Sequence, residues 1–188
     1  MTFRNAFCAL ALFVSFPLAQ AEAAPMFEID LTDQSVVAEW YSVNDGVMGG
    51  RSSGGISFDN GLLFRGVINT NGGGFSSIRY SLPPDVLADA EGLRFRVRSD
   101  GRTYKATFRT NVTYFGRQIS FQAEIPTEGT GDWEIVDVRF SDLKGSIFGR
   151  PVRRARFDPG EVRSIGIIIA DKIDGPFRLD VSGIKAVG

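Results

Sequence analysis

The chain contains no histidine, and its single cysteine, Cys8, lies close to the N-terminus. A Ser-His-Asp triad, a Cys-His dyad and a histidine-ligated zinc or iron site are therefore excluded. Removal of a leader that contains Cys8 would also exclude thiolate catalysis, iron–sulfur clusters and disulfides. Glycoside hydrolysis needs only two carboxylates, so a carboxylate-based hydrolase is kept as a minor alternative. No pair of carboxylates stands out in the sequence, and we predict no catalytic residues, no cofactor and no metal.

The chain also lacks an excess of either charge. It has 21 Lys and Arg against 22 Asp and Glu, a formal net charge of −1. This balance gives no global attraction to nucleic acid, and we predict no nucleic-acid partner. We expect the protein to be a monomer.

The apolar run near the N-terminus is shorter than a membrane span needs. The apolar run from Ala6 to Ala19 follows one positive charge at Arg4 and ends in small-x-small cleavage patterns, as in a signal peptide. A span needs about 20 apolar residues, and a mitochondrial transit peptide would be richer in Arg and Ser. We predict a cleaved signal peptide at residues 1–23, one domain over residues 24–188 and a periplasmic or secreted location. An uncleaved anchor is the alternative.

Convincing amphipathic helices are also lacking, and apolar residues alternate with a period of two. Leu93, Phe95 and Val97 alternate with three arginines, and similar patterns follow as far as Ile125. Strict alternation is typical of strands with one buried face. Many short strands with Gly, Pro and Asp turns predict an all-β, single-domain β-sandwich or jelly roll. Residues 141–161 are predicted to be a long loop.

A glycine-rich segment from Trp40 to Arg79 has ten glycines in forty residues. Asn60-Gly61 and Asn71-Gly72 predict hairpin turns within it. The segment has no Gly-Lys-Ser/Thr and no following helix, so it does not match a phosphate-binding loop. We favour a structural role, with Asn44 and Asp45 bonded to nearby backbone and Met48 in the core.

Several separated motifs in this chain occur together in one known family. They are VNDGVMGGRS, LLFRGVI, NGGGFSSIR, DWEIVDVRFSDL and IGIIIADKIDGPFRLDVSGI. In these motifs the chain resembles the family of the thirty-kilodalton complex I intermediate-associated protein. The resemblance implies a galactose-binding-like β-sandwich and a non-enzymatic role in assembly. We predict an exported binding or assembly protein, although export would separate it from the matrix-side arm of complex I. The alternative is a carbohydrate-binding module for envelope or extracellular glycans.

Two basic regions are candidate binding surfaces, and each has a plainer interpretation as a solvated surface. Outward residues of the central strands would form a basic, amide-rich patch if those strands are neighbours, with Tyr80 or Tyr114 as a stacking aromatic. A later arginine cluster could dock on an acidic protein surface or on lipid headgroups. The partner would be a protein client or a glycan, with peripheral contact with a membrane complex. The candidate residues are Arg94, Arg96, Arg98, Lys105, Arg109 and Gln122 in the patch and Arg150, Arg153, Arg154 and Arg156 in the cluster.

Two further features have structural interpretations as well. Asp171 and Asp174 stand at an Asp-Gly turn, and their carboxylates are the oxygen ligands that Ca²⁺ takes; a plain turn explains them equally well. Trp40 and Trp133 both precede apolar strands. We predict that both pack in the core.

Overall fold

The computed structural model describes residues 27–188, which form two antiparallel β-sheets packed on one core. The all-β, single-domain β-sandwich predicted from the sequence is confirmed. The predicted signal peptide, residues 1–23, lies outside the described residues. No helix in the described part of the chain is long and apolar enough to cross a bilayer.

Sheet 1 contains six strands: β1 (Glu28–Asp30), β3 (Ser53–Phe58), β4 (Leu62–Ile68), β6 (Gly92–Ser99), β9 (Trp133–Arg139) and β13 (Gly175–Val187). Their order is β3-β4-β13-β6-β9, and β1 pairs with the C-terminal part of β13.

Sheet 2 contains seven strands: β2 (Tyr41–Asn44), β5 (Ser76–Ser81), β7 (Tyr104–Tyr114), β8 (Arg117–Glu124), β10 (Lys144–Ile147), β11 (Arg150–Pro151) and β12 (Val162–Ile169). Their order is β11-β10-β8-β7-β12-β5-β2. A single helical turn, α1 (Gln34–Val37), is capped by Asp33, and 3₁₀ turns occupy Asp45–Met48, Phe140–Asp142 and Pro159–Glu161.

The core is built by the alternation seen in the sequence. In β6 the side chains of Leu93, Phe95 and Val97 are buried, and the three arginines that alternate with them point outward. In β12, Ile165, Ile167 and Ile169 are buried in the same way. The pairing of β13 with β6 shifts register between Val181 and Gly183, as at a β-bulge.

Consecutive strands often belong to different sheets, which sequence periodicity does not reveal. β6 pairs with β9 and β13 in sheet 1, whereas β7 pairs with β8 and β12 in sheet 2. The short connection between β6 and β7 therefore crosses from one sheet to the other. The outward residues of β6 and β7 lie on opposite outer surfaces of the sandwich.

The structure differs from the sequence predictions at one of two hairpins and in one loop. The hairpin at Asn60-Gly61 is confirmed, since β3 pairs with β4. The prediction of a hairpin at Asn71-Gly72 is wrong, because β4 pairs with β3 and β13. The turn at Asn71-Gly72 leads instead to β5 in sheet 2. The loop predicted for residues 141–161 contains the β10–β11 hairpin, whose four-residue and two-residue strands are too short to show alternation.

Candidate binding face

The glycine-rich segment encloses a buried carboxylate. The Asp45 side chain accepts hydrogen bonds from Ser52 N (2.9 Å), Ser52 Oγ (2.6 Å), Gly74 N (2.5 Å) and Phe75 N (3.3 Å). Burial acts to raise the pKa of this carboxyl, but these hydrogen bonds outweigh it and leave the pKa below its usual value. The backbone amides of this segment thus bind the protein's own anion and leave no phosphate cradle.

Two glycines are required around this carboxylate by close approach. A Cβ at Gly50 would lie 2.2 Å from Asp45 Cγ, and one at Gly73 would lie 2.3 Å from Asp45 Oδ2. Asn44 also bonds to backbone, through Nδ2 to the Gly54 carbonyl oxygen at 3.0 Å. The structural interpretation of this segment is supported, except that Met48 is exposed and does not enter the core.

The outer surface of sheet 1, which we call the paired face, holds several of its arginines in ion pairs. Arg94 binds Asp137 at 2.7 Å, and the buried Asp180 accepts from Arg98 at 3.1 Å and Arg178 at 2.9 Å. Burial acts to raise the pKa of Asp180, but the hydrogen bonds from the two arginines act against it and leave the pKa lowered. The arginines of this face that form no salt bridge within residues 27–188, Arg65, Arg96 and Arg139, are exposed to solvent.

Trp133 belongs to the paired face and not to the core, so its predicted burial is wrong. The guanidinium carbons of Arg96 and Arg98 lie 4.7 and 5.2 Å from the centroid of its ring, within cation–π range. Arg96 also donates to Ser182 Oγ at 2.9 Å. Trp40 is buried as predicted.

The outer surface of sheet 2, which we call the open face, presents one straight row of residues across five strands. In cross-strand register, Gln122 faces Thr107, Thr107 faces Gly166, Gly166 faces Arg79 and Arg79 faces Tyr41. With strands about 4.8 Å apart, the row is roughly 19 Å long. At its centre, a Cβ on Gly166 would lie 2.3 Å from the Ile78 carbonyl oxygen and 2.9 Å from Thr107 Oγ1. The centre of the row therefore has no side chain, and polar side chains flank it.

The open face bears three half-buried cations, and only one of them, Lys105, faces a carboxylate of the described residues in cross-strand register, that of Glu124. Arg79, Lys105 and Arg109 are half-buried, and none forms a salt bridge within residues 27–188. Arg109 donates only a long hydrogen bond to Gln118 Oε1, at 3.3 Å. The pKa of Arg109 is lowered first by partial burial and then by the like charge of Arg79. A bound anion would relieve both penalties.

The single basic patch predicted from the sequence is divided between the two faces. Arg94, Arg96 and Arg98 lie on the paired face, already engaged by Asp137, Ser182, Trp133 and Asp180, whereas Lys105, Arg109 and Gln122 lie on the open face. The patch fails as one surface because β6 and β7 belong to different sheets. The ligand-binding roles of these residues stay predictions.

The aromatic residue of the open face was not anticipated. Tyr80 points inward and stacks on Trp40 with ring centroids 5.4 Å apart, so it cannot serve as a stacking platform for a ligand. Tyr114 is exposed, but at the end of β7. Tyr41 is exposed on β2 beside Arg79. A single tyrosine on a four-residue edge strand gives no alternation by which to recognise it.

The arginine cluster follows the β10–β11 hairpin at one side of sheet 2. Arg150 lies in β11, and Arg153, Arg154 and Arg156 come directly after it. All four are exposed, and none forms a salt bridge within the described residues. A docking role for them stays a prediction.

At the Asp171 turn, the candidate calcium site, an arginine lies against the carboxylate. Arg102 Nε and Nη2 donate to Asp171 at 2.9 and 2.7 Å, and Asp174 accepts from Thr70 N at 2.6 Å. No cluster of three metal-ligating residues occurs in residues 27–188. Arg102 supplies the positive charge that a cation would bring to this loop.

Two shallow clefts contain carboxylates, which bears on the hydrolase alternative. In one, Asp180 is bound by two arginines and Asp100 accepts from the backbone nitrogens of Arg178 (2.7 Å) and Arg102 (3.0 Å). In the other, Asp137 is bound by Arg94 beside Glu91. These bonds favour a structural role for three of the four carboxylates.

Two antiparallel sheets packed face to face define this chain as a β-sandwich. The family model for Complex I intermediate-associated protein 30 (CIA30) matches residues 29–181, and the chain belongs to this family. The resemblance seen in the sequence motifs is confirmed.

Curated relatives support this membership. A probable complex I intermediate-associated protein 30, mitochondrial, of Caenorhabditis elegans is 34% identical over 94 residues, which are 49% of this chain and 28% of the relative. The Mus musculus protein is 33% identical over 95 residues, 49% of this chain and 29% of that protein. The alignment thus spans less than a third of these relatives. Their names place them in mitochondria, so the predicted periplasmic or secreted location is contradicted.

Solved structures of carbohydrate-binding modules share the fold. A family 11 module of a Clostridium thermocellum cellulase has a TM-score of 0.60 at 17% identity, covering 88% of this chain and 97% of the module. The same family in complex with a β-1,3-1,4-mixed-linked tetrasaccharide gives 0.58 at 18% identity, covering 85% and 96%. A family 30 module gives 0.54 at 16% identity, covering 79% and 82%. At these identities the likeness concerns the fold alone.

Proposed function

We propose that this chain is a non-enzymatic binding protein that holds a protein client during assembly of complex I. Family membership and the names of the curated relatives support the assembly role. The predicted export argued against a client on the matrix-side arm, and that objection falls with the predicted location. The client docks on the open face through an acidic segment.

The half-buried arginines of the open face, Arg79 and Arg109, carry this proposal, because the arginines of the paired face that form no salt bridge within residues 27–188 are exposed. Arg102 and Arg178 are bound by carboxylates, whereas Arg79, Lys105 and Arg109 are half-buried without one in the described chain. Holding like charges in a partly desolvated surface costs free energy unless an anion compensates them. The planar guanidinium groups of Arg79 and Arg109 suit bidentate contact with carboxylates. An acidic client segment would complete the ion pairs that the chain lacks.

The double variant Arg79→Gln/Arg109→Gln is expected to lose its client. In a cross-linked pull-down from membranes of the source cells, we expect recovery of complex I assembly subunits to fall about tenfold or more. Truncating one partner of a desolvated charge pair commonly costs more than a factor of ten in affinity. Recovery is measured by quantitative mass spectrometry.

The variant Arg65→Gln/Arg139→Gln is the matched control. It removes the same two charges from the outer side of sheet 1, where neither residue forms a salt bridge within residues 27–188. We expect it to keep its client. Equal loss in both variants, or no complex I subunits with the wild type, would contradict the proposal.

Glycan binding is a second candidate function, favoured by one feature of the open face. Tyr41 stands beside Arg79 in a row that ends in Gln122, so an aromatic ring, guanidinium groups and an amide share one sheet face. Such groups supply the stacking surface and planar hydrogen bonds that sugars need. The carbohydrate-binding modules that share the fold add support.

If the open face binds glycans, Tyr41→Ala and Arg109→Ala should each weaken binding about tenfold, while Arg96→Ala leaves it unchanged. A glycan array that includes mixed-linked β-1,3-1,4-glucans, followed by calorimetry, measures this. Arg96 is the control because it lies on the paired face. An array with no signal above background for the wild type removes this candidate.

A further inference from the structure

Two hairpins of sheet 2 end in the same unusual turn. β7 is joined to β8 by Phe115-Gly116, and β10 is joined to β11 by Phe148-Gly149. The φ angles are 50° and 70° in the first turn and 49° and 74° in the second. Positive φ at both central residues is typical of type I′ turns, which favour Asn-Gly. Each Phe-Gly pair is followed by an arginine, so the tripeptide Phe-Gly-Arg occurs at both hairpin tips.

Phenylalanine is a costly choice at the first of these positions. A bulky L-residue at positive φ is strained, and such strain tends to persist where function requires the side chain. The rings gain no burial in return, because Phe115 is 88% exposed and Phe148 is 72% exposed. The two turns therefore hold aromatic rings in solvent at a cost to the fold.

The two turns lie side by side and form one surface. β8 pairs with β10, and the guanidinium carbon of Arg117 lies 5.3 Å from the centroid of the Phe148 ring. The exposed Tyr114 ring meets Phe115 with centroids 4.5 Å apart. We call Tyr114, Phe115, Arg117 and Phe148 the turn platform.

The surroundings of the turn platform are strongly basic. Residues 109–123 and 143–157, which include both hairpins, contain no Asp or Glu. The same two segments contain seven basic residues: Arg109, Arg117, Lys144, Arg150, Arg153, Arg154 and Arg156. None of them forms a salt bridge within residues 27–188. Exposed aromatic rings thus stand within a region of one charge sign.

We propose that the turn platform docks this protein on a lipid bilayer that contains anionic phospholipid. The rings of Tyr114, Phe115 and Phe148 enter the interface between headgroups and acyl chains, where aromatic side chains are favoured. Arg117 and the arginines of the 150–156 segment contact headgroup phosphates, each adding attraction near an anionic surface. Docking at this edge leaves Tyr41 and Arg79, on the far strands of sheet 2, free for a client.

A bilayer fits this surface better than a protein partner does. A stable protein interface buries about 800 Å² on each side with matching shapes. Three aromatic side chains at projecting turns supply about 150–250 Å² each at most. A bilayer needs no complementary shape, and its surface charge matches the basic segments.

Vesicle flotation tests the proposal with a variant that separates binding from folding. The full chain is mixed with phosphatidylcholine vesicles with or without phosphatidylglycerol. We expect binding only to the anionic vesicles, weakened by salt. Phe115→Asn/Phe148→Asn should weaken that binding about tenfold or more, since it removes both rings. The same variant should melt at the wild-type temperature or above it, because Asn-Gly is the preferred type I′ sequence.

Met48→Asn/Ile173→Asn is the matched control. It also replaces two exposed apolar side chains, but at the opposite end of sheet 2, where Asn44 and Ile169 both pair with Ser76. We expect this control to bind vesicles as the wild type does. No binding of the wild type to anionic vesicles, or equal weakening in both variants, overturns the proposal. The proposal is also overturned if Phe115→Asn/Phe148→Asn binds vesicles as the wild type does but recovers fewer complex I subunits in the pull-down. The two turns would then contact protein and not lipid.

Discussion

Asp45→Ala is expected to lower the free energy of unfolding by about 3–5 kcal/mol, because it leaves three buried or half-buried backbone N–H groups without an acceptor. Ser52 N, Ser52 Oγ, Gly74 N and Phe75 N all donate to this carboxylate. Each orphaned donor costs about 1–3 kcal/mol, and such costs are not additive within one network. Urea unfolding followed by tryptophan fluorescence measures the change, with an unchanged slope as the sign of an intact two-state transition.

We call Asp45 and the donors of Ser52, Gly74 and Phe75 the Asp45 clasp. Gly50→Ala tests this clasp with the carboxylate still present. Its Cβ would lie 2.2 Å from Asp45 Cγ, whereas a Cβ at the control position Gly55 would meet nothing within 4 Å. We expect Gly50→Ala to be clearly destabilising and Gly55→Ala to be close to neutral. If both were neutral, the close approach around Asp45 would not matter to stability, and the structural role assigned to the glycine-rich segment would be wrong.

The Asp45 clasp also makes stability depend on pH in a defined direction. The pKa of Asp45 is lowered in the folded state, whereas an unfolded Asp titrates near about 3.9. Its contribution is therefore fully present above about pH 4 and is lost as the pH falls through the lowered folded pKa. Asp45→Asn should lack this part of the acid destabilisation, so its stability should converge on that of the wild type at low pH. A constant gap between the two down to acidic pH would contradict this assignment.

Local periodicity predicted the strands of this fold but not their distribution between the sheets. Leu93, Phe95 and Val97 alternate visibly because each strand has one buried face. Which sheet a strand joins depends on partners far away in sequence, such as β13 for β6. For that reason Arg96 and Arg109 were assigned to one surface, although they lie on opposite faces of the sandwich.

The buried Asp45 site and the candidate binding surfaces were the least predictable parts for the same reason. The amides that bind Asp45 come from Gly74 and Phe75, about thirty positions away, and glycine-rich chain has no period that would reveal them. The turns at Phe115 and Phe148 were not predicted, because phenylalanine is not a turn-forming residue. The repeated Phe-Gly-Arg tripeptide was nevertheless present in the sequence, and comparison of the two segments would have found it.

Arg102→Ala is expected to have the second large effect on stability, about 3–5 kcal/mol, because it breaks a buried ion pair. The side chains of Arg102 and Asp171 are 12% and 5% exposed. Arg102 also donates to the carbonyl oxygens of Gly175 (3.0 Å) and Pro176 (2.8 Å) and to that of Ile173. One guanidinium thus ties the β6–β7 connection to the loop between β12 and β13, and its loss leaves the Asp171 carboxylate buried without a counter-charge.

Arg94→Ala is a matched control for Arg102→Ala, since Arg94 binds Asp137 in the same two-point geometry, through Nε at 2.7 Å and Nη2 at 2.8 Å. The side chains of Arg94 and Asp137 are 49% and 39% exposed, and exposed pairs contribute about 0–1 kcal/mol. Arg102→Lys should fall between the two, because it keeps the charge but not the fork of donors that reaches Asp171 and the carbonyl oxygens together. Thermal unfolding of the three variants separates burial from charge. Equal losses of stability in Arg94→Ala and Arg102→Ala would show that burial does not set the strength of the Arg102–Asp171 ion pair. A large loss of stability confined to Arg102→Ala would show that this arginine holds the connection between the two sheets.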